Sequence, residues 1–323
     1  MMSSMFGMLG LAFAPNLITI LISVVLIGLG SAVFHPEASR VAYLAAGNKR
    51  GLAQSIYQVG GNSGQALAPL ITALVLVPLG QFGAIWFVAV AFITVLVLSY
   101  ISRWYAEQID FFKKNNHEKV QTKMTKDKLP KVIRNAVLLL IFVVFARSLY
   151  HSAISNYYAF YAIQKYGTTI AEAQIFIFVF LLTGAIGTFI GGPLADRFGR
   201  KTLIIVSLLG PAPFAILLPF VGPYTALVLI GVIGLVMLSS FSVAVVYAQE
   251  MVPGKVGTMS GLIIGLAFGM GAVGSVFFGS LIDWLGLAPT MIIVGFLPLI
   301  GFLTFGLPSD EKLREINSGK GQV

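Results

Sequence analysis

The sequence predicts an all-α, polytopic membrane protein, a helical bundle of about ten spans, and three observations carry that expectation. Of the 323 residues, 57% are hydrophobic and 10% are charged, whereas a soluble domain carries about a quarter charged residues. The apolar residues are gathered into runs close to or beyond the ~20 residues that a helix needs to cross a bilayer. Those runs lack the period-two alternation of outer-membrane barrels and exceed the ~10 residues of a barrel strand.

The first run, Met1 to Ala14, falls short of a span and has neither the basic n-region nor the cleavage site of a signal peptide, so the chain is expected to begin inside a helix. Then come Leu17 to Phe34, Leu52 to Leu79, Ala84 to Ile101, Ala136 to Ala162 and Ile170 to Leu194. Thr202 to Phe220, Tyr224 to Ala248, Gly257 to Ile282 and Ala288 to Leu307 complete the series, and each of these nine is long enough to cross. Lys and Arg gather in alternate connections: Arg40 with Lys49 and Arg50, the stretch Ser102 to Asn135, Arg197 with Arg200 and Lys201, Lys255, and the end with Lys312, Arg314 and Lys320. The opposite connections hold Lys165 alone. The positive-inside rule makes the rich side cytoplasmic, with both termini there if Met1 opens a span.

The net charge of +9 lies in breaks between apolar runs and forms no basic face interleaved with aromatics, so no nucleic-acid partner is expected. With no cysteine, disulfides, Cys-ligated zinc, iron–sulfur clusters and thiol nucleophiles are excluded. No cofactor or metal is expected. The first expected partner is the lipid bilayer, and the chain is read as a monomer; the family resemblance described below adds a small anionic or drug-like substrate and protons. Four segments follow: residues 1–105 as an incomplete N-terminal half of about four spans, 106–134 as a basic cytoplasmic linker, 135–308 as a six-helix half, and 309–323 as a cytoplasmic tail.

The front and rear halves look like copies. His35-Pro36-Glu37 is read as closing one helix, and Lys49 and Arg50 precede a Gly-rich helix; Gln249-Glu250 closes another, and Lys255 precedes a second Gly-rich helix. Parallel repeats of this kind mark transporters built from two halves. Between the runs ending at Leu194 and starting at Thr202 stands Gly191-Gly192-Pro193-Leu194-Ala195-Asp196-Arg197-Phe198-Gly199-Arg200-Lys201. This resembles the signature loop of the major facilitator superfamily, so Gly192, Asp196, Arg197, Gly199, Arg200 and Lys201 are expected to form a gating motif. Glycine lets two helices approach closely, and Asp196 can cap a helix start and pair with a basic residue.

The resemblance narrows along two further stretches, Val33 to Ala42 (VFHPEASRVA) and Gly51 to Asn62 (GLAQSIYQVGGN), with support at Ile101 to Tyr105, Tyr247 to Glu250 and Gly265 to Gly271. There the chain is similar to the fosmidomycin resistance protein family of drug exporters. That resemblance implies a twelve-helix fold, proton-driven antibiotic efflux by antiport, and a chain truncated at its N-terminus, with the first two helices absent and transport by this chain alone poor or nil. Two departures bear on coupling. The Arg-x-x-x-Gly-x-Gly of many proton-driven members has Val24 in place of the Arg before Gly28 and Gly30, and the antiporter motif is reduced to Gly64, Ala68 and Pro69 followed by Thr72 and Ala73.

Ionisable groups at membrane depth are expensive, so the few present carry the functional reading. Arg147 lies near the midplane of its run, with His151, Ser155 and Tyr158 on the same helical face. A guanidinium offers bidentate, permanently charged donors to a phosphonate. Arg147 is thus the substrate-binding candidate, with a snorkelling or structurally paired arginine as the alternative. His151 and Tyr150 join it, as does the polar stripe Gln54, Gln58 and Asn62, for which interhelical hydrogen bonding is the alternative. Glu37 and His35 are candidate proton carriers, as is Glu250 at the equivalent place in the rear half, with a paired structural gate as the other reading. Gly261, Gly265 and Gly269 are expected to serve packing. Two other classes stay in view. Gly61-Asn62-Ser63-Gly64 matches the Gly-x-Ser-Gly of rhomboid intramembrane proteases, which would make Ser63 a nucleophile and His151 its base, and the third class is an uncoupled channel.

Overall fold

The computed structural model describes residues 1–47, 49–71, 75–115 and 130–317, and among them there is no strand. The helices in chain order are α1 (Met2–Ala12), α2 (Leu17–Ala45), α3 (Arg50–Ile71), α4 (Val77–Leu79), α5 (Ile85–Asn115), α6 (Lys131–Tyr166) and α7 (Ile170–Phe198). They continue as α8 (Arg200–Leu209), α9 (Ala212–Leu217), α10 (Pro223–Leu238), α11 (Phe241–Met251), α12 (Val256–Leu285), α13 (Leu287–Phe296) and α14 (Asp310–Asn317). Among the described residues, eight stretches are long and apolar enough to cross a membrane. The other two of the ten expected spans are α1, with 11 residues, and α3, whose 22 residues include Gln54, Gln58, Asn62 and Gln65. Residues 116–129, the middle of the expected linker, lie outside the described residues, as do Thr72, Ala73 and residues 318–323 of the expected tail.

Several runs are broken where the sequence reading had them continuous. The run Thr202 to Phe220 divides at Gly210-Pro211, and Tyr224 to Ala248 divides at Ser239-Ser240. After α13 the chain tightens into a 3-10 helix, Leu297–Gly306, where Pro298 has no N–H to continue the α ladder. The reverse correction applies at His35-Pro36-Glu37. It does not close a helix, because α2 runs through Pro36 to Ala45. One proline removes one backbone donor, and neighbouring groups in a membrane bundle satisfy the carbonyl it frees.

The chain forms two compact units, one of Met1–Glu37 with Ala68–Pro130, the other of residues 38–67 with those from Lys131 onward. In the first unit, the Ser3 hydroxyl donates to the Leu26 carbonyl at 2.7 Å, and Gln81 Nε2 donates to the Leu11 and Ala14 carbonyls that end α1. Its two long helices are thinly covered, with 11% of the apolar stretch of α2 and 6% of that of α5 buried.

The second unit packs around α6. One apolar cluster surrounds Tyr150, Tyr158, Phe180 and Ile233, and another surrounds Leu140, Ile204, Val245 and Ile263. The capping box of Thr169 and Glu172 starts α7, which runs against α10 so closely that a Cβ on Gly187 would stand 1.9 Å from the Leu235 carbonyl oxygen. The packing expected of the α12 glycines falls elsewhere. Among the described residues nothing lies within 4 Å of a Cβ built at Gly265 or Gly269, whereas one at Gly274 would meet Leu149 at 2.9 Å. The seam between α12 and α6 therefore lies toward the later turns of α12.

Candidate functional site

A cavity of about 210 Å³ opens inside the second unit. It is smaller than the ~300–1,000 Å³ of sites for drug-sized ligands, so it suits a compact molecule. Its walls come from α3 (Asn62, Gln65), α6 (Arg147, Ser148, His151, Ser152, Ser155, Asn156), the ends of α10 and α11 (Met237, Leu238, Phe241) and α12 (Ala267, Phe268, Gly271, Ser275). The Ser239-Ser240 break between α10 and α11 lies beside it. Interrupted helices at a midplane site are a feature of transporters.

Arg147, His151 and Ser155 succeed one another at four-residue spacing, which puts them on one face of α6 with about 6 Å of rise per step. Arg147 is 7% exposed. Its guanidinium stands 4.4 Å from the centre of the Phe241 ring, and Nη1 has no hydrogen-bond partner. A desolvated cation–π contact is worth ~2 kcal/mol, while taking a charge out of water costs several. The ring leaves the guanidinium undercompensated. His151 lies with its ring 5.5 Å from that of Phe180. No Asp or Glu lines the cavity among the described residues, so its formal charge is set by Arg147.

Beyond Ser155 the wall becomes a neutral network. Ser152 donates to the Gly271 carbonyl at 2.7 Å, and Asn156 Nδ2 donates to the hydroxyls of Ser275 at 2.8 Å and Ser152 at 3.1 Å. Asn62 Nδ2 donates to Thr188 Oγ1 at 2.8 Å. Of the substrate residues read from sequence, Arg147, His151 and Asn62 line the cavity. Tyr150 is 1% exposed within an apolar cluster, and Gln54 and Gln58 are buried elsewhere on α3. Sequence reasoning missed Gln65, Ser152, Asn156 and Ser275. Asn156 offered a signal, as an amide nine residues after Arg147, but its pairing with α12 spans 119 positions.

A second site joins the starts of α3 and α8 to the ends of α7 and α11. The first N–H groups of a helix have no partner within it, and α3 has no acidic residue in its first turn. Asp196 of α7 supplies the acceptors: Oδ1 takes the Gly51 N–H and Oδ2 the Leu52 N–H, each at 3.3 Å. Asp310 does the same for α8, accepting the Arg200 N–H at 2.7 Å. Arg200 Nη2 lies 2.9 Å from Glu250 Oε1 and 3.9 Å from Asp196 Oδ1, and Arg50 Nη1 reaches Glu250 at 3.4 Å. Close approach makes this geometry available, since a Cβ on Gly192 would stand 2.2 Å from Ser55 Oγ and 2.3 Å from the Gly51 oxygen. Gly199, at φ +91°, turns the chain from α7 into α8. Lys201 donates to the Phe305 carbonyl at 2.9 Å, and Arg197 lies exposed, 5.2 Å over the Phe198 ring.

Deeper than the charges is a neutral layer. Ser39 Oγ accepts from Gln54 Nε2 at 2.9 Å and from Gln249 Nε2 at 3.3 Å; Gln249 also donates to Ser260 at 2.7 Å, and the Ser55 and Ser242 hydroxyls pair at 2.9 Å. The remaining candidates lie in the first unit. Glu37 is exposed and lines a hollow with Leu29, Val33 and Ser99, and His35 is half-buried beside Phe34. Ser63 is not among the residues lining the cavity that holds His151, so a serine–histidine pair finds no support there.

Comparison with known proteins agrees with this architecture. The sequence profile described as Major Facilitator Superfamily matches residues 1–264 and, overlapping, 140–322. The MFS-type transporter YfnC of Bacillus subtilis (strain 168) is 62% identical over 317 residues, which cover 98% of this chain and 77% of that protein. The fosmidomycin resistance protein of Escherichia coli (strain K12) is 42% identical over 305 residues, covering 94% of this chain and 74% of that one. Among solved structures, FucP in the outward conformation superposes with a TM-score of 0.63 at 14% identity, covering 95% of this chain and 82% of its own, a likeness of fold alone.

Proposed function

The chain belongs to the major facilitator superfamily of membrane transporters, and from that premise we propose that it exports a small anionic compound from the cell, driven by protons. The observation that carries this reading is Arg147, a buried guanidinium on a cavity wall with one nitrogen unpartnered and no carboxylate beside it. A phosphonate supplies the missing acceptors in bidentate form. The 42% identity to a fosmidomycin resistance protein makes fosmidomycin the model substrate. Arg147 and His151 bind the anionic head, and Asn62 and the Ser152–Asn156 network hold the rest. Gly192, Asp196, Arg197, Gly199, Arg200 and Lys201, with Glu250, form the cytoplasmic gate, and His35 and Glu37 carry the exchanged proton. Two ion pairs on Glu250 favour its role in the gate over proton carriage.

Fosmidomycin survival of a sensitive bacterial strain tests this. Whatever protection the chain gives is expected to be smaller in cells expressing the Arg147→Gln variant at equal membrane level, and to be lost on adding a proton uncoupler. Equal survival of the two would remove Arg147 from the substrate site, and protection that persists in uncoupler would remove the protons.

A further inference from the structure

Resting on the anion site at Arg147, we infer that His151 is the proton partner of the substrate, taking up one proton as the anion enters the cavity and releasing it as the anion leaves. His151 follows Arg147 by one turn on the same face of α6 and lines the same cavity. Its ring packs on Phe180 at 5.5 Å. The imidazole is thus held against an aromatic neighbour on the cavity wall.

The surroundings decide the sign of the effect. From α3 the cavity receives Asn62 and Gln65, from α10 and α11 Met237, Leu238 and Phe241, and from α12 Phe268 and Ser275, none of them charged. Tyr150 and Tyr158 of α6 are buried in the adjoining apolar cluster and are not among the residues lining the cavity. The one charged neighbour is Arg147, which opposes a second positive charge while the cavity is empty. An anion bound between the two reverses that balance, because it attracts both. By linkage, whatever favours the proton when the anion is bound also favours the anion when the proton is bound. The proton comes from water entering with the substrate and returns to water when the substrate leaves. A dianion therefore moves with one charge already neutralised, and export driven by protons then needs at least two protons exchanged at His35 and Glu37 for each anion moved.

Titration calorimetry of the purified chain with fosmidomycin, in two buffers of different ionisation enthalpy, counts the protons taken up on binding. The expected result is uptake close to one proton for the wild type and near zero for His151→Gln, with affinity about tenfold weaker in the variant. Uptake unchanged in His151→Gln would overturn the inference. Should that variant fail to fold, a short sulfonate, which cannot itself take up a proton near neutrality, reads the same property in the wild type. Its affinity is expected to fall as pH rises beyond the ordinary histidine range near ~6.5, and a flat profile would overturn the inference. Binding that is lost in Arg147→Gln but carries no proton uptake in the wild type overturns the role of His151 alone. Binding equal in Arg147→Gln and wild type, or absent from both, overturns the anion site as well.

Discussion

Two arginines of the second unit show what a buried charge does in the company it is given. Arg200 is paired with carboxylates, although its Nε has no hydrogen-bond partner. Its backbone N–H goes to Asp310, its guanidinium to Glu250 at 2.9 Å, and Asp196 and Arg50 extend the set into a network of alternating charge. Arg147, the more buried of the two, has the face of Phe241, an unpartnered nitrogen and no carboxylate on its cavity wall among the described residues. The first arrangement ties five helices together; in the second, on the function proposed above, the balancing charge comes with a bound anion. A group whose compensation is missing is where a ligand is to be sought, while a compensated group of the same type is a structural joint.

The comparison breaks most visibly at the joint's closest approach. Replacing Gly192 by Leu places carbon where the Gly51 carbonyl and Ser55 hydroxyl already stand, and α3 and α7 must part. A loss of ~3 kcal/mol, at the upper end of overpacking costs, is expected in detergent unfolding. The fold survives Gly192→Leu unchanged only if the two helices are not held this closely. Because the chain has no cysteine, the pair Ser55→Cys and Ser242→Cys gives a direct readout, a disulfide that forms in the parent and not with Leu at position 192.

Next in size is Glu250→Gln, which strands Arg200 and Arg50 together. The side chain of Glu250 is 21% exposed and that of Arg50 40%, so solvent softens the cost to ~2 kcal/mol, within the range for hydrogen bonds between charged groups. High salt should shrink the difference from the parent. A double-mutant cycle with Arg200→Gln is expected to show coupling of at least ~0.5 kcal/mol, whereas additive costs would mean that the two side chains act independently. Smallest is Gln249→Leu in the neutral layer, where two hydrogen bonds go and Ser260 and Ser39 lose a donor. About 1 kcal/mol is expected, with no dependence on salt.

Much of this was legible in the sequence because the bilayer imposes so simple a rule. Apolar runs had to be helices, and a lone arginine inside one had to be explained, which is how Arg147 stood out before any coordinates. The Gly192–Lys201 loop was equally visible. Pro36 misled, since a residue that ends helices in water is carried within one in a membrane bundle. The partners of the joint were hidden for another reason. Asp196 meets Gly51 across 145 positions and Arg200 meets Asp310 across 110, and no spacing rule reaches that far. The same distance hid Gln65 and Ser275, ordinary polar residues until the fold brings them to the cavity with Asn156.

The most direct measurement is the thermal unfolding midpoint of Arg147→Met beside the parent, each with and without saturating fosmidomycin. Methionine keeps much of the volume and removes the charge. If Arg147 is an uncompensated cation kept for a ligand, the variant unfolds at the same or a higher temperature than the parent when unliganded, as replacing buried charges by apolar groups can stabilise by ~1–4 kcal/mol. It then shows none of the upward shift that the ligand gives the parent. A variant that unfolds at a lower temperature yet keeps the full ligand shift would mean that Arg147 is a structural member of the bundle and that the anion binds elsewhere.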